Sequence, residues 1–325
     1  MTNISFEELH EQDDILHKIK VANNNPLFSI YWEIRMALYI GVLLFTAGAG
    51  ILIYKNIDSI GHIAIVSFIG CIAAVCWWYC FKNSQPVTIK KAISAGVLFD
   101  YLLLLAALLT VTFIGYLQYQ FQVFGQSLRL ATFIPMVILF AAAYRFDHIG
   151  ILSLAITNLG VWLGINVTPT SLLKSYQFND EVIIYTGVLL GLALKLIAWL
   201  SIKKDIKRHF AFTYHNFGVH VFFISCLAAI FHFHFYLFWL LLLVGVAYYL
   251  FAKAVKEKSF YFLLIIVLYA FVALNFTFIN LLIKADPGFE RGVMFIISTY
   301  FILSSIGLIF FLIHYNKKLK QHDNL

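Results

Sequence analysis

The sequence predicts an all-α, polytopic transmembrane bundle of about ten spans with both termini in the cytoplasm. Three observations support this: repeated apolar runs of bilayer length, a shortage of charge, and basic residues gathered in alternate loops. Of the 325 residues 62% are hydrophobic and 12% charged, whereas a soluble domain carries about 25% charged residues. A hydrocarbon core of about 30 Å needs roughly 20 apolar residues in a helix, and runs near that length recur along the whole chain. The 33 Phe, 18 Tyr and 6 Trp suit lipid-facing surfaces and interfacial belts.

Before the first run, "SFEELHEQDDILHKIK" opens with Ser5 and Glu8 in a capping-box pattern, and Phe6, Leu9, Leu16 and Ile19 recur at helical spacing. An amphipathic cytoplasmic helix is expected here. "NNNP" ends it, and Tyr31, Trp32 and Arg35 read as an interfacial lead-in, so residues 1–35 form one region. Many charges and no apolar centre in this region predict no cleavable signal peptide. The spanning bundle is expected over 36–314, with segments at 36–54, 60–81, 93–115, 129–144, 148–166, 181–202, 216–232, 236–252, 259–282 and 293–314. The fourth is short and holds Pro135. Only "HFHFYLF" parts the seventh from the eighth, which leaves either two full spans or a re-entrant pair. Residues 315–325 read as a basic cytoplasmic tail.

Loop charge tests the count. Of the 23 Lys and Arg, only Lys55, Arg129, Lys174, Lys284 and Arg291 fall on the side opposite the N-terminus, and only Lys195 falls inside a span. Basic loops mark the cytoplasmic face, and one missed helix would invert every later loop. The same distribution argues against nucleic acid as the partner of a chain with a formal charge of +7: the bases sit in short loops between spans. The lipid bilayer is the expected partner, beside a small-molecule or ion ligand.

"ALYIGVLLFTAGAGILIYKNID" in the first span and "FIGYLQYQFQVFG" after the third resemble two signatures of the membrane protein family called domain of unknown function 2157. In that family an amphipathic N-terminal segment precedes a first span rich in small residues and ending in an Asn-Trp-Asp pattern, with a glycine, glutamine and aromatic pattern after the third span. Asn56, Ile57 and Asp58 occupy the first pattern, with Ile in place of Trp, and Gly115, Gln118 and Tyr119 the second. The resemblance covers roughly the first 130 residues. It implies a protein of the bacterial inner membrane and no particular activity.

"GVLFDYLLLL" places Asp100 seven residues into the third segment, roughly 10 Å deep by helix rise. Lys195 lies seven residues from the same end of the sixth segment. Acid and base at one depth predict a pair, since an unpaired charge at a helix centre costs about 2.5 to 3.5 kcal/mol. A structural ion pair, a Lys195 that snorkels alone and a proton-relay or substrate role are the readings open to them. His220 and Asn158 join them as further candidates for an intramembrane polar site. "YLQYQFQVFGQ" alternates Gln118, Gln120 and Gln122 with bulkier residues at period two, which suits an extended outer lid or an interfacial connector. Gly41, Ala47, Gly48, Ala49 and Gly50 in the first span, like Gly187 and Gly191 in the sixth, are expected to permit close helix approach.

No metal site is expected. His232 and His234 stand two apart without acidic neighbours, and Cys76 and Cys80 share a face without further ligands. His62 with His232 or His234 is too unspecific a signal to call for haem, and no cofactor is expected. No P-loop, Rossmann fingerprint, Ser-His-Asp order or His-Glu-x-x-His motif occurs, so nothing points to an enzyme. The expected function is a small-solute carrier or permease-like bundle; the alternative is a membrane scaffold or sensor with a docking helix at its N-terminus.

Overall fold

The computed structural model describes residues 30–55, 61–88, 90–92, 96–125, 128–167, 181–285 and 291–321. The expected N-terminal amphipathic helix and the Asn56 to Asp58 pattern lie outside the described residues, as does the end of the tail. Ten helices are described: α1 (Ile30–Lys55), α2 (His62–Lys82), α3 (Val97–Phe121), α4 (Leu128–Phe146), α5 (Ile149–Val167), α6 (Glu181–Lys203), α7 (Phe210–His232), α8 (Tyr236–Lys256), α9 (Phe260–Ala285) and α10 (Arg291–Gln321). Nine are long and apolar enough to cross a membrane, and α5 contributes the shorter apolar stretch Ile149–Gly164. In hydrocarbon no water is present to satisfy backbone groups, so a helix, which bonds its own, is the form these runs must take.

Each expected span has its helix, and the differences lie at the ends. α1 begins at Ile30, so Arg35 is inside the helix and not in a lead-in. α3 runs on to Phe121 and closes at Gln122 in the left-handed region, φ 47°. α7 starts at Phe210, and α10 continues to Gln321 with Leu319 buried, so the tail begins as helix. α7 and α8, of 23 and 21 residues, would each measure over 30 Å at about 1.5 Å per residue. They are two full-length helices joined through Phe233 to Phe235. Pro135 is buried within α4, which continues through it, as membrane helices allow where neighbours cover the freed carbonyl.

The chain divides into two compact units, residues 1–88 with 92–155, and residues 89–91 with 156–325. In the first, α3 packs along α2 and α4, and α1 lies against α3. Leu103, Ala106 and Ala107 of α3 are fully buried, as are Leu139 and Ala143 of α4. By contrast, no residue of the α1 stretch Arg35–Leu52 is buried. A Cβ built on Gly41, Gly48 or Gly50 meets nothing within 4 Å. The close approach expected of these glycines is absent among the described residues.

In the second unit α6 and α7 form the tightest seam. A Cβ on Gly191 would come 2.7 Å from the Phe222 nitrogen, and one on Gly218 would come 2.9 Å from the Gly191 carbonyl. Gly187 faces Ser225 with no room for a methyl group. Here the small residues do bring backbones together. Phe223, Cys226, Leu243, Leu263 and Ala273, all fully buried, continue this core across α7, α8 and α9.

Candidate functional site

Asp100 sits in the first turn of α3, whose N-terminal N–H groups favour a negative charge. Its residue is 7% exposed. Arg35 of α1 donates from Nη2 to its Oδ2 at 2.9 Å, forming an ion pair between two helices. The Arg35 side chain is 30% exposed against 11% for Asp100, so the cation keeps partial access to its surroundings while the anion depends on its partners. The next residue, Tyr101, donates its hydroxyl to the Arg35 carbonyl at 3.2 Å, and its ring meets Tyr39 edge-on at 5.4 Å. These contacts fasten the N-terminal part of α1 to α3.

A cation does meet the carboxylate, and the one the structure shows there is Arg35, from the first helix. Lys195 lies in the second unit, where its stem passes beside Gly218.

Opposite the start of α3, the turn "RFDHI" between α4 and α5 supplies the rest of the site. Arg145 donates to the Gln85 carbonyl and to the Ser84 hydroxyl, both at 2.8 Å, and Asp147 accepts from the Ala92 N–H. Both charges thereby hold the link between α2 and α3. Phe146 packs among Trp77, Phe81 and Phe99. Asp147 turns the chain at φ 58°, a conformation that Asp tolerates better than most residues.

His148 then caps α5: its Nδ1 accepts the Ile151 N–H at 3.2 Å. A nitrogen that accepts cannot carry the proton, so the neutral ring is protonated at Nε2. That Nε2 is buried and has no hydrogen-bond partner among the described residues. Buried polar atoms are rarely left so, and an unmade bond costs about 1 to 3 kcal/mol. Burial pushes the imidazole below its ordinary pKa; Asp100 opposes that shift, Arg35 adds to it, and Asp147 opposes it. Chemically the site offers one anion held by one cation, beside a neutral N–H donor. No group of three or more His, Cys, Asp or Glu that could hold a metal occurs among the described residues.

His220 of α7 shares a hydrogen bond of 2.8 Å between Nδ1 and the Tyr269 hydroxyl of α9, within the second unit. Asn158 belongs to that unit as well, with a buried Oδ1 that lacks a partner among the described residues. Gln118 and Gln120 are helical rather than extended, because α3 continues past 115. Gln118 is buried and spends its amide on the following turn, donating to the Gly125 carbonyl at 2.7 Å and accepting from the Phe124 N–H at 3.1 Å. Period two in this stretch reflects composition and not a strand.

Sequence reasoning missed Arg35 and His148. Arg35 was legible only as an interfacial base, and a buried cap such as His148 has a faint signal, one polar residue directly before an apolar run.

A cavity of about 540 Å³ opens elsewhere in the first unit, between α1, α2 and α3, with Thr46, His62, Thr112 and Tyr116 among its lining residues. No curated protein and no solved structure matches the chain. Residues 10–152, which hold Arg35, Asp100 and His148, match the family model described as predicted membrane protein DUF2157, and to that family this part of the chain is similar.

Proposed function

We propose that the protein is a small-solute carrier of the bacterial inner membrane, with both termini cytoplasmic, in which α1 is the element that moves. The Arg35–Asp100 pair supports this reading above all. It joins α1 to α3 near one end, while the stretch Arg35–Leu52 of α1 has no buried residue and leaves a cavity beside it. Alternating access requires an element with two arrangements, and ionisable groups among membrane helices commonly mark solute or proton pathways. Parting the pair would release α1 at the end where it is fastened.

The topology rests on the basic loops, and reporter fusions at Asn3 and Asn324 should both give cytoplasmic signals. For transport, the full chain reconstituted in liposomes is offered a mixture of neutral small solutes, and the lumen is read by mass spectrometry. At least one solute should enter with the native chain and not with Asp100→Asn of equal thermal stability. Entry of none, or equal entry with both, overturns the carrier and leaves the scaffold reading.

A further inference from the structure

The cavity between α1, α2 and α3 has its own chemistry, apart from the Arg35–Asp100 pair. Phe45, Ala49, Gly50, Ile69 and Leu109 form the apolar part of its wall. Among the described lining residues none is Lys, Arg, Asp or Glu. A charged occupant would therefore lie among membrane helices without a counter-ion, which is costly. Gly50 leaves an open face, since a Cβ there meets nothing within 4 Å.

The polar lining residues are not equal. Thr46 gives its hydroxyl proton to the helix carbonyls of Val42 and Leu43, at 3.0 and 2.9 Å, and Thr112 gives its own to Leu108 at 3.0 Å. Each has spent its donor within its own helix. His62 and Tyr116 share one hydrogen bond of 2.8 Å between Nδ1 and the phenol oxygen, which leaves capacity on both. If Tyr116 donates to Nδ1, the ring proton is on Nε2, and the pair offers an N–H donor and a phenol lone pair. If Nδ1 carries the proton and donates to the phenol oxygen, the phenol O–H is released as donor and Nε2 becomes an acceptor. Either way the pair presents one donor and one acceptor, and it can exchange them.

From this geometry we infer that the cavity binds a neutral, lipid-soluble molecule with a carbonyl or hydroxyl head, recognised by His62 and Tyr116. A volume of about 540 Å³ lies within the 300 to 1,000 Å³ range of small-molecule sites, which are mostly apolar with a few placed polar groups. An acyl chain of the bilayer would fill the walls but would make no use of the pair. Binding here requires no transport, so failure of the carrier reading leaves this inference standing.

The test uses the full chain in phospholipid nanodiscs and native mass spectrometry to count bound molecules. Four probes share a decyl tail: a benzoquinone, its hydroquinone, a trimethylammonium and a carboxylate at pH 8. The benzoquinone and hydroquinone should bind one per chain, and the two charged probes at least tenfold more weakly. His62→Phe should weaken both neutral probes about tenfold, or roughly 1.4 kcal/mol, and Gly50→Leu, which puts bulk into the open space and leaves His62 and Tyr116 in the sequence, should abolish binding. His62→Gln keeps a donor and an acceptor and should retain most affinity; it serves also where the Phe variant fails to fold. Equal binding of charged and neutral probes, indifference to both His62→Phe and Gly50→Leu, or phospholipid as the sole occupant would each overturn the inference.

Discussion

α1 and α6 are both apolar spanning helices with glycines, yet the structure uses those glycines in opposite ways. In α6, Gly187 and Gly191 face α7 so closely that a methyl group on either would strike Ser225 or the Phe222 backbone. In α1, Gly41, Gly48 and Gly50 face open space, and an ion pair to Asp100 does the fastening. Small residues permit two helices to approach, but approach needs a matching surface, which Gly218 of α7 supplies to α6. The first seam is set by shape along its length, the second by charge near one end.

The largest effect should come from stripping the charged seam. Arg35→Met leaves Asp100, the less exposed partner, without its cation, and removing one member of a buried pair costs about 3 to 5 kcal/mol. Partial exposure of Arg35 brings the expected loss to the lower end, about 3 kcal/mol, read as a fall in unfolding temperature in detergent. Arg35→Met with Asp100→Leu should recover most of it, since a neutral, packed replacement is tolerated. Lys195→Met should not change the cost of Asp100→Leu; a strong coupling between those two would make Lys195 a second partner of the carboxylate.

Next in size is the shape-set seam. Gly191→Ala puts a methyl group against Phe222 backbone and should cost about 1 to 3 kcal/mol, the usual penalty of overpacking. Gly48→Ala in α1 should fall within about 0.5 kcal/mol of the native chain. Equal effects at the two positions, by the same thermal assay, would erase the contrast between the seams.

Gln118→Ala should cost about 0.5 to 1.5 kcal/mol, because it removes the bonds that hold the Phe124 N–H and Gly125 carbonyl at the close of α3. The check is denaturation of this variant beside Gln120→Ala, whose exposed side chain should matter little.

The smallest effect is one of pH. Burial holds the His148 pKa below its ordinary value, so on acidification the unfolded chain takes up that proton before the folded one. Its contribution to stability is full above about pH 6.5 and declines as pH falls from there toward the folded pKa, by at most about 1.4 kcal/mol per pH unit. His148→Asn keeps an oxygen able to cap α5 and removes the titration. Its stability should fall less steeply than that of the native chain below pH 6.5; parallel curves would remove His148 as the titrating group.

Membrane helices are the most legible part of such a chain, because one run of residues meets the requirement on its own: apolar side chains for lipid and a helix for the backbone. That is why ten segments, the long α7 and the short α4 among them, can be read without a partner in view. Helix ends are less legible, as Arg35 and Gln118 show. Each lies beyond an apolar run, where polar residues fit a loop or a last turn equally well, and the choice falls to contacts: Asp100 for Arg35, the turn at 124–125 for Gln118.

The sequence alone determined that Asp100 would need a cation and that α6 could approach a neighbour closely, since both follow from the cost of a charge or the size of a side chain. Tertiary structure alone decided that the cation is Arg35, that the neighbour is α7 at Gly218, and that the glycines of α1 stay open. The physical reason is that solvation and helix formation are properties of a segment, whereas pairing depends on the direction each side chain takes around its helix, which only the packing of one helix on another sets.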